Sequence, residues 1–175
     1  MNTDVTLCCK TADLTPGKVT FGSGCIVHPK ARIIAEGDCN IVIGEYNIIE
    51  ENVLIRAKPK YNPLTNNNET ITVYIGNYNH FKIGAILENT SVDSYNVFDY
   101  KCRLEDALVE SKCIITPKIN IPKRTTIKTG SIVLDNQLIV SNTTFNETEF
   151  KNSIKDLYKT LANLLPKQNT MHNIG

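Results

Sequence analysis

The sequence predicts an all-β fold: a parallel β-helix of hexapeptide repeats, followed by one amphipathic α-helix packed on it. Three observations carry this. Apolar residues recur at every sixth position through most of the chain. The residue four places after each is usually small. Near residue 146 the period changes to a helical one. A helix repeats its apolar face at three and four and a plain strand at two, so a period of six fits neither alone.

The six-residue anchors run Phe21, Val27, Ile33, then Ile43, Ile49, Ile55, then Ile75, Phe81, Leu87, then Val92, Phe98, Leu104, and last Val109, Ile115, Ile121, Ile127, Val133. Seventeen apolar residues thus fill seventeen positions, with four breaks in phase. Four places on stand Cys25, Ala31, Asn47, Val53, Asn79, Ala85, Asn96, Cys102, Cys113, Thr125 and Ser131; Leu108 and Ile119 are exceptions. An anchor plus a small residue every six is the mark of hexapeptide β-helices. Three hexapeptides make a triangular coil of about 18 residues, whose faces are short parallel strands stacked about 4.8 Å apart. The anchor fills the interior, and the small residue sits where a large one would crowd the corner. The anchors predict about six coils. Gly44, Gly76 and Gly84 each follow an apolar residue, where a corner takes backbone angles that other residues resist.

The interruptions are local. Residues between Ile33 and Ile43 add a corner bulge. The stretch from Arg56 to Tyr74 carries Pro59, Pro63 and Asn66-Asn67-Asn68, so an inserted loop is expected near 58–71. It reads either as a functional arm or as a tolerated surface insertion, and the second is preferred. Steps of five at Leu87 to Val92 and Leu104 to Val109 shorten two corners.

After Val133 the repeat stops. Phe150, Ile154, Leu157, Tyr158, Leu161, Leu164 and Leu165 share one helical face, Asn146 and Glu149 form a capping box, and Pro166 should end the helix. The expected partition is a β-helix with its loop over 1–145, a helix over 146–165 lying against one face, and a flexible tail over 166–175. An exposed, partner-binding helix is the rival reading.

Composition excludes several functions. A net charge of +1 offers no general attraction to nucleic acid or anionic lipid. No run reaches the 18 apolar residues that a membrane span needs, and the start shows no signal-peptide pattern, so a cytoplasmic protein is expected. Cys8, Cys9, Cys25, Cys39, Cys102 and Cys113 are scattered without a C-x-x-C pair and read as reduced, mostly buried thiols. Sequons at Asn68, Asn89, Asn142 and Asn146 read as chance in an Asn- and Thr-rich chain.

Catalytic chemistry finds little support. A zinc site of the γ-type carbonic anhydrase kind needs three converging histidines, and this chain has only His28, His80 and His172. His28 and His80 stand 52 residues apart, nearly three coils by spacing, and Ala85 stands near where those enzymes place a ligand. Either histidine could serve as the general base of a hexapeptide acyltransferase. The nearest acids, Glu36 and Glu88, lie eight residues downstream of each and do not pair convincingly. Phosphate-loop, nucleophile-elbow and dinucleotide-binding motifs are absent from the sequence. Lys118, Lys123, Arg124 and Lys128 could place some charge on a shared outer face. No catalytic, cofactor-binding or metal-binding residue is therefore assigned.

The stretches Val27 to Glu36 (VHPKARIIAE) and Ile41 to Ile55 (IVIGEYNIIEENVLI) resemble the dynactin subunit 6 family. His28-Pro29-Lys30-Ala31-Arg32-Ile33, Ile43-Gly44-Glu45 and Ile49-Glu50-Glu51 carry the match. Ile75 to Gly84 and Ile121-Pro122 agree in register. The resemblance covers about residues 14–165, with a first coil short of its N-terminal portion and an abbreviated tail. It implies a left-handed β-helix and a non-catalytic subunit of the dynactin pointed-end complex. Such a subunit pairs with the second β-helical subunit, subunit 5, beside the actin-related protein at the filament end, and supports dynein-based, microtubule-directed transport. A homotrimeric acyltransferase or γ-type carbonic anhydrase is the alternative.

Overall fold

The computed structural model describes residues 4–135, 139–141 and 144–174. Three parallel sheets form a prism. Face A holds β1 (Thr6–Cys9), β4 (Ile26–Val27), β7 (Ile48–Ile49), β12 (His80–Phe81), β15 (Val97–Phe98), β18 (Ile114–Ile115) and β21 (Ser131–Val133). Face B holds β2 (Asp13–Leu14), β5 (Arg32–Ala35), β8 (Leu54–Ala57), β13 (Ile86–Glu88), β16 (Arg103–Glu105) and β19 (Asn120–Ile121). Face C holds β3 (Val19–Phe21), β6 (Asn40–Ile43), β11 (Thr72–Ile75), β14 (Ser91–Val92), β17 (Leu108–Val109) and β20 (Thr126–Ile127). The chain visits A, B and C in turn, so strands adjacent in a sheet lie one coil apart.

The anchors stack in register. Val27 pairs with Ile49, Ile49 with Phe81, Phe81 with Phe98, Phe98 with Ile115, and Ile115 with Val133. Sixteen of the seventeen predicted anchors are buried; Phe21, on the end strand β3, is half-buried. The Phe81 and Phe98 rings stack at 4.9 Å, a separation close to the strand spacing. The helix has about seven turns on face A, one more than the anchors predict. The addition is N-terminal: Cys8 is buried, Leu14 packs against the core, and β1 to β3 complete the first coil. The sequence hid it because Leu14 to Phe21 is a step of seven and Cys8 is not aliphatic.

Corners are made by single residues with positive φ, among them Lys30, Tyr46, Asn52, Tyr78, Tyr95, Lys101 and Lys112. Such angles cost a non-glycine residue roughly 1–2 kcal/mol, which coil stacking must outweigh. The predicted glycines divide. Gly84 takes φ +70°, as expected. Gly44 does not; it is required by close approach, since a Cβ there would lie 2.7 Å from the Gly76 carbonyl oxygen on the next coil. The exceptional Leu108 also resolves. In the five-residue step Ala107 takes the buried position and Leu108 turns outward, whereas Ile119 is truly buried.

One corner is polar inside. Asn47 Oδ1 accepts from the Asn79 N–H (3.0 Å), Asn79 Oδ1 from the Asn96 N–H (2.9 Å), and Asn96 Oδ1 from the Cys113 N–H (2.7 Å). Asn47 Nδ2 donates to the Gly76 carbonyl and Asn79 Nδ2 to that of Asp93. The three side chains are fully buried and bind each coil to the next.

The C-terminal segment straps the prism lengthwise. β22 (Ile139–Ser141) pairs antiparallel with β21 at one end of face A. Helix α1 (Glu147–Gln168) then runs back over that face, and β23 (Met171–Ile174) pairs antiparallel with β1 at the other end. A 22-residue helix is roughly 33 Å long, and seven strands span roughly 29 Å, so the helix matches the stack. Asn146 caps it by accepting from the Glu149 N–H at 3.2 Å. Two expectations are corrected. The helix continues past Pro166, because that residue forgoes only one bond and the Asn169 N–H still reaches the Leu165 carbonyl at 2.8 Å. The end of the chain, expected as a flexible tail, is β23, which satisfies the open edge of β1.

The helix seats on Ile26 and Ile48 through Ile154, Tyr158 and Leu165, with Phe150, Leu157 and Leu161 alongside; Leu164, placed on that face by periodicity, is exposed. Tyr46, Tyr78 and Tyr95 stack one coil apart beside it. Lys155 lies over Tyr46, and Lys151 over Tyr78 and Tyr95. The inserted segment is an antiparallel hairpin of β9 (Lys60–Asn62) and β10 (Asn67–Glu69), where a loop was expected. The sequon at Asn142 lies outside the described residues; Asn89 and Asn146 have structural roles as a positive-φ corner and the helix cap.

Candidate functional site

The histidines are the first candidates for a catalytic site. His28 follows β4, Glu50 and Glu51 follow β7, and His80 lies on β12, three successive strands of face A. His28 Nδ1 is 2.9 Å from Glu51 Oε1, and His80 Nε2 is 2.6 Å from Glu50 Oε1. Each histidine therefore has a carboxylate partner that sequence distance concealed. The acids considered for that role are engaged elsewhere, Glu36 with Arg56 and Glu88 with Arg56, Lys58 and Arg103. The histidines are two coils apart rather than nearly three, because the 58–71 hairpin absorbs part of the intervening chain. Two coils are roughly 10 Å, and each ring is turned to its own glutamate, His28 to Glu51 and His80 to Glu50.

These pairs are structural in form. Burial would raise the Glu50 carboxyl, but the His80 hydrogen bond and charge, the Ile83 N–H and His28 together hold it below the usual range. His28 is buried. Ala85 is buried in its corner column. Among the described residues, no three His, Cys, Asp or Glu side chains gather as metal ligands. The six cysteines are buried and free. Burial pushes the Cys8 and Cys25 thiols up to about 11 and Cys102 to about 12, the reverse of an activated nucleophile. A hollow of about 300 Å³ opens at the N-terminal end of the prism, lined by Leu14, Thr15, Pro16, Gly17, Val19, Thr20, Phe21 and Ile174. It presents no acid, base or thiol side chain.

The outer faces are more informative. Face A lies under α1. Face B carries a ladder of charge: Arg56 Nη1 lies 3.1 Å from Glu88, Lys58 Nζ 3.3 Å from both Glu88 and Glu105, and Lys123 Nζ 3.0 Å from Glu105. Lys58 and Lys60, which bonds Asp106, also pin the base of the hairpin. Face C has no charged residue within its strands, though Asp93, Glu110 and Lys128 directly follow β14, β17 and β20, and Lys128 pairs with Glu110. Register places Thr20, Val42, Tyr74, Ser91, Leu108 and Thr126 in one outward row across all six strands. Nothing among the described residues covers that row, and Val42, Tyr74 and Leu108 are 39, 59 and 44% exposed. The predicted basic residues do not share a face: Lys118 lies over Tyr100, Lys123 pairs with Glu105, and Lys128 with Glu110. Among the described residues, no helix is long and apolar enough to cross a membrane.

The face C row could have been found in the sequence, because it holds the residue before each anchor. Its signal is an absence of charge, which composition searches overlook.

No protein-family model matches the chain. A hexapeptide transferase family protein from Anaplasma phagocytophilum has a similar structure, with a TM-score of 0.56 and 14% identity over 94% of this chain and all of that one. This likeness shows the fold alone. Sequence relatives are closer. Dynactin subunit 6 of Danio rerio is 38% identical over 61% of this chain and 55% of its own length. That of Nematostella vectensis is 34% identical over 132 residues, 68% of each chain. The matched region thus spans between about half and two thirds of these relatives. With period, fold and alignment in agreement, the chain belongs to the dynactin subunit 6 family.

Proposed function

We propose that the protein is a non-catalytic, structural subunit of the dynactin pointed-end complex, cytoplasmic and cytoskeleton-associated. In this reading it pairs with the second β-helical subunit beside the actin-related protein at the filament end and so supports dynein-based, microtubule-directed transport. Family membership carries the proposal. The surface is in keeping with it: a stiff prism with one face strapped, one salt-bridged and one carrying an exposed uncharged row suits packing against other chains. The histidines are absorbed by glutamates, and the N-terminal hollow holds no group able to transfer a proton.

A hexapeptide transferase reading is favoured only by likeness of fold, and fold does not fix function. The test is native purification of the tagged chain with identification of every co-purifying chain and a native mass. A large particle holding a second β-helical chain and actin-related proteins is expected. A homotrimer with bound zinc or acyl-transfer activity would overturn the proposal.

A further inference from the structure

The charge on face B is uneven. Its later strands, their corners and the hairpin, over 56–71, 82–90, 99–107 and 116–125, hold nine of the chain's 19 Lys and Arg and five of its 18 Asp and Glu. The rest of the chain carries ten against thirteen, so positive charge gathers here in a protein of net charge +1. Depth separates the signs as well. The side chains of Glu88, Glu105, Asp106 and Asp99 are only 8, 17, 18 and 21% exposed. Arg103, Lys123 and Lys60, which pair with the first three, are 47, 63 and 47% exposed. Lys101, Lys118 and Arg124 are exposed and form no ion pair among the described residues. The acids therefore make an inner layer and the cations an outer one. On the N-terminal side the strip is bounded by Glu36, Glu50 and Glu51, engaged by Arg56, His80 and His28.

We propose that the last two coils of face B bind a short acidic polypeptide segment laid across the face. Charge selects the occupant. A basic segment is repelled by the outer layer, and an uncharged one gains nothing from it. Shape selects its form. Lys118 stands on the corner where face B begins and Arg124 on the corner where it ends. Their N–H groups donate to the Tyr100 and Asp106 carbonyls one coil below, at 3.0 and 2.9 Å. Lys101 and Lys118 are thus about 4.8 Å apart along the prism, and Lys118 and Arg124 bound a strip roughly 20 Å long. A strip two strands deep and that long takes one extended segment of about six residues. Nucleic acid and anionic lipid spread their charge much more widely. Most of it would meet the remaining surface, where acids outnumber bases. Exposed cations stay hydrated, so the contact is wet, rim-like and sensitive to salt. The assignment goes beyond the pairing proposed above and does not depend on it, because it is read from this chain's own charges.

The test titrates the full chain into a fluorescein-labelled decapeptide of alternating Asp and Glu and follows anisotropy, at low salt and at about 0.5 M salt. Binding should weaken roughly tenfold or more in high salt, and by as much in Lys101→Glu/Lys118→Glu at low salt. The melting temperature of that variant should not fall, since neither lysine forms an ion pair. Lys101→Gln/Lys118→Gln, which only removes the charges, should bind with intermediate strength and keeps the test valid should the reversal fail to fold. Lys159→Glu/Lys167→Glu on exposed positions of α1 makes the same change in net charge and should bind as the wild type does. Equal weakening in that control would reveal attraction to net charge alone and overturn the site. A wild type that does not bind the peptide at low salt would overturn it too. Tighter binding of a single-stranded DNA decamer or of phosphatidylserine vesicles, lost in Lys101→Glu/Lys118→Glu, would overturn the choice of polypeptide. All readings are made on the isolated chain, so their failure leaves the proposed dynactin role standing, and failure of that role leaves them standing.

Discussion

Asn79 offers a sharp test of the fold's internal logic. Its side chain is fully buried. Its Oδ1 accepts from the Asn96 N–H one coil on, and its Nδ2 donates to the Asp93 carbonyl, each at 2.9 Å. Asn79→Leu keeps the branched shape but leaves a buried N–H and a buried C=O without partners, each costing about 1–3 kcal/mol. The sum, about 2–6 kcal/mol, should lower the melting temperature by roughly 4–24 °C in a chain of this size. Asn79→Asp separates acceptor from donor. A protonated aspartate can both accept and donate, so near pH 4 this variant should approach the wild type. Buried and facing a carbonyl, the ionised form is disfavoured, so the folded pKa lies above the unfolded value of about 3.9. As pH rises from 4 towards the folded pKa, the unfolded state alone ionises. The variant should lose stability relative to wild type by up to about 1.4 kcal/mol per pH unit, then level off. Urea titrations of the three proteins at pH 4, 5.5 and 7 measure this. An Asn79→Asp deficit that does not vary with pH, or an Asn79→Leu melting temperature equal to wild type, would refute the ladder as a source of stability.

Other outcomes follow from the same structure. Ile49, a fully buried anchor on the third of the seven parallel strands of face A, should cost about 2–5 kcal/mol as Ala and more as Asp, which strands a charge, whereas exposed Leu64→Ser should change thermal stability by less than about 0.5 kcal/mol. Because the folded Glu50 carboxyl is held low, it contributes stability above its unfolded pKa that is lost as pH falls through the folded one. Glu50→Gln should therefore be weaker than wild type at neutral pH, with the gap in urea midpoint closing under acid. Maleimide labelling should modify none of the six buried cysteines in the native protein and all of them in urea; rapid native labelling of Cys25 or Cys102 would contradict their burial and high thiol pKa.

The coils were legible because a hexapeptide prism writes its core as a spacing. Each anchor must point inward at the same place in every coil, so Val27 through Val133 announce themselves. What stayed hidden depends on register between coils rather than on order along the chain. Glu51 lies 23 residues from His28, and Glu50 lies 30 from His80. Only the stacking of β4, β7 and β12, with the hairpin subtracted, brings them into contact. The corner asparagines were visible as small residues, but their bonds to the next coil were not. Pro166 and β23 depart from local rules, which stop a helix at proline and fray a terminus. Here the neighbouring bonds and the open edge of β1 decide instead.

A solenoid has two separate problems of exposure, its ends and its sides. This chain solves the ends of face A with its own antiparallel strands, β22 and β23, which block further parallel stacking on that face. It solves one side with α1, whose tyrosine and lysine contacts span successive coils, and a second side with ion pairs that keep face B in water. A single helix as long as the stack can cover only one of three faces. On the third face the row Thr20, Val42, Tyr74, Ser91, Leu108 and Thr126 is covered by neither device among the described residues, and what holds that face is the stacking of its anchors from within.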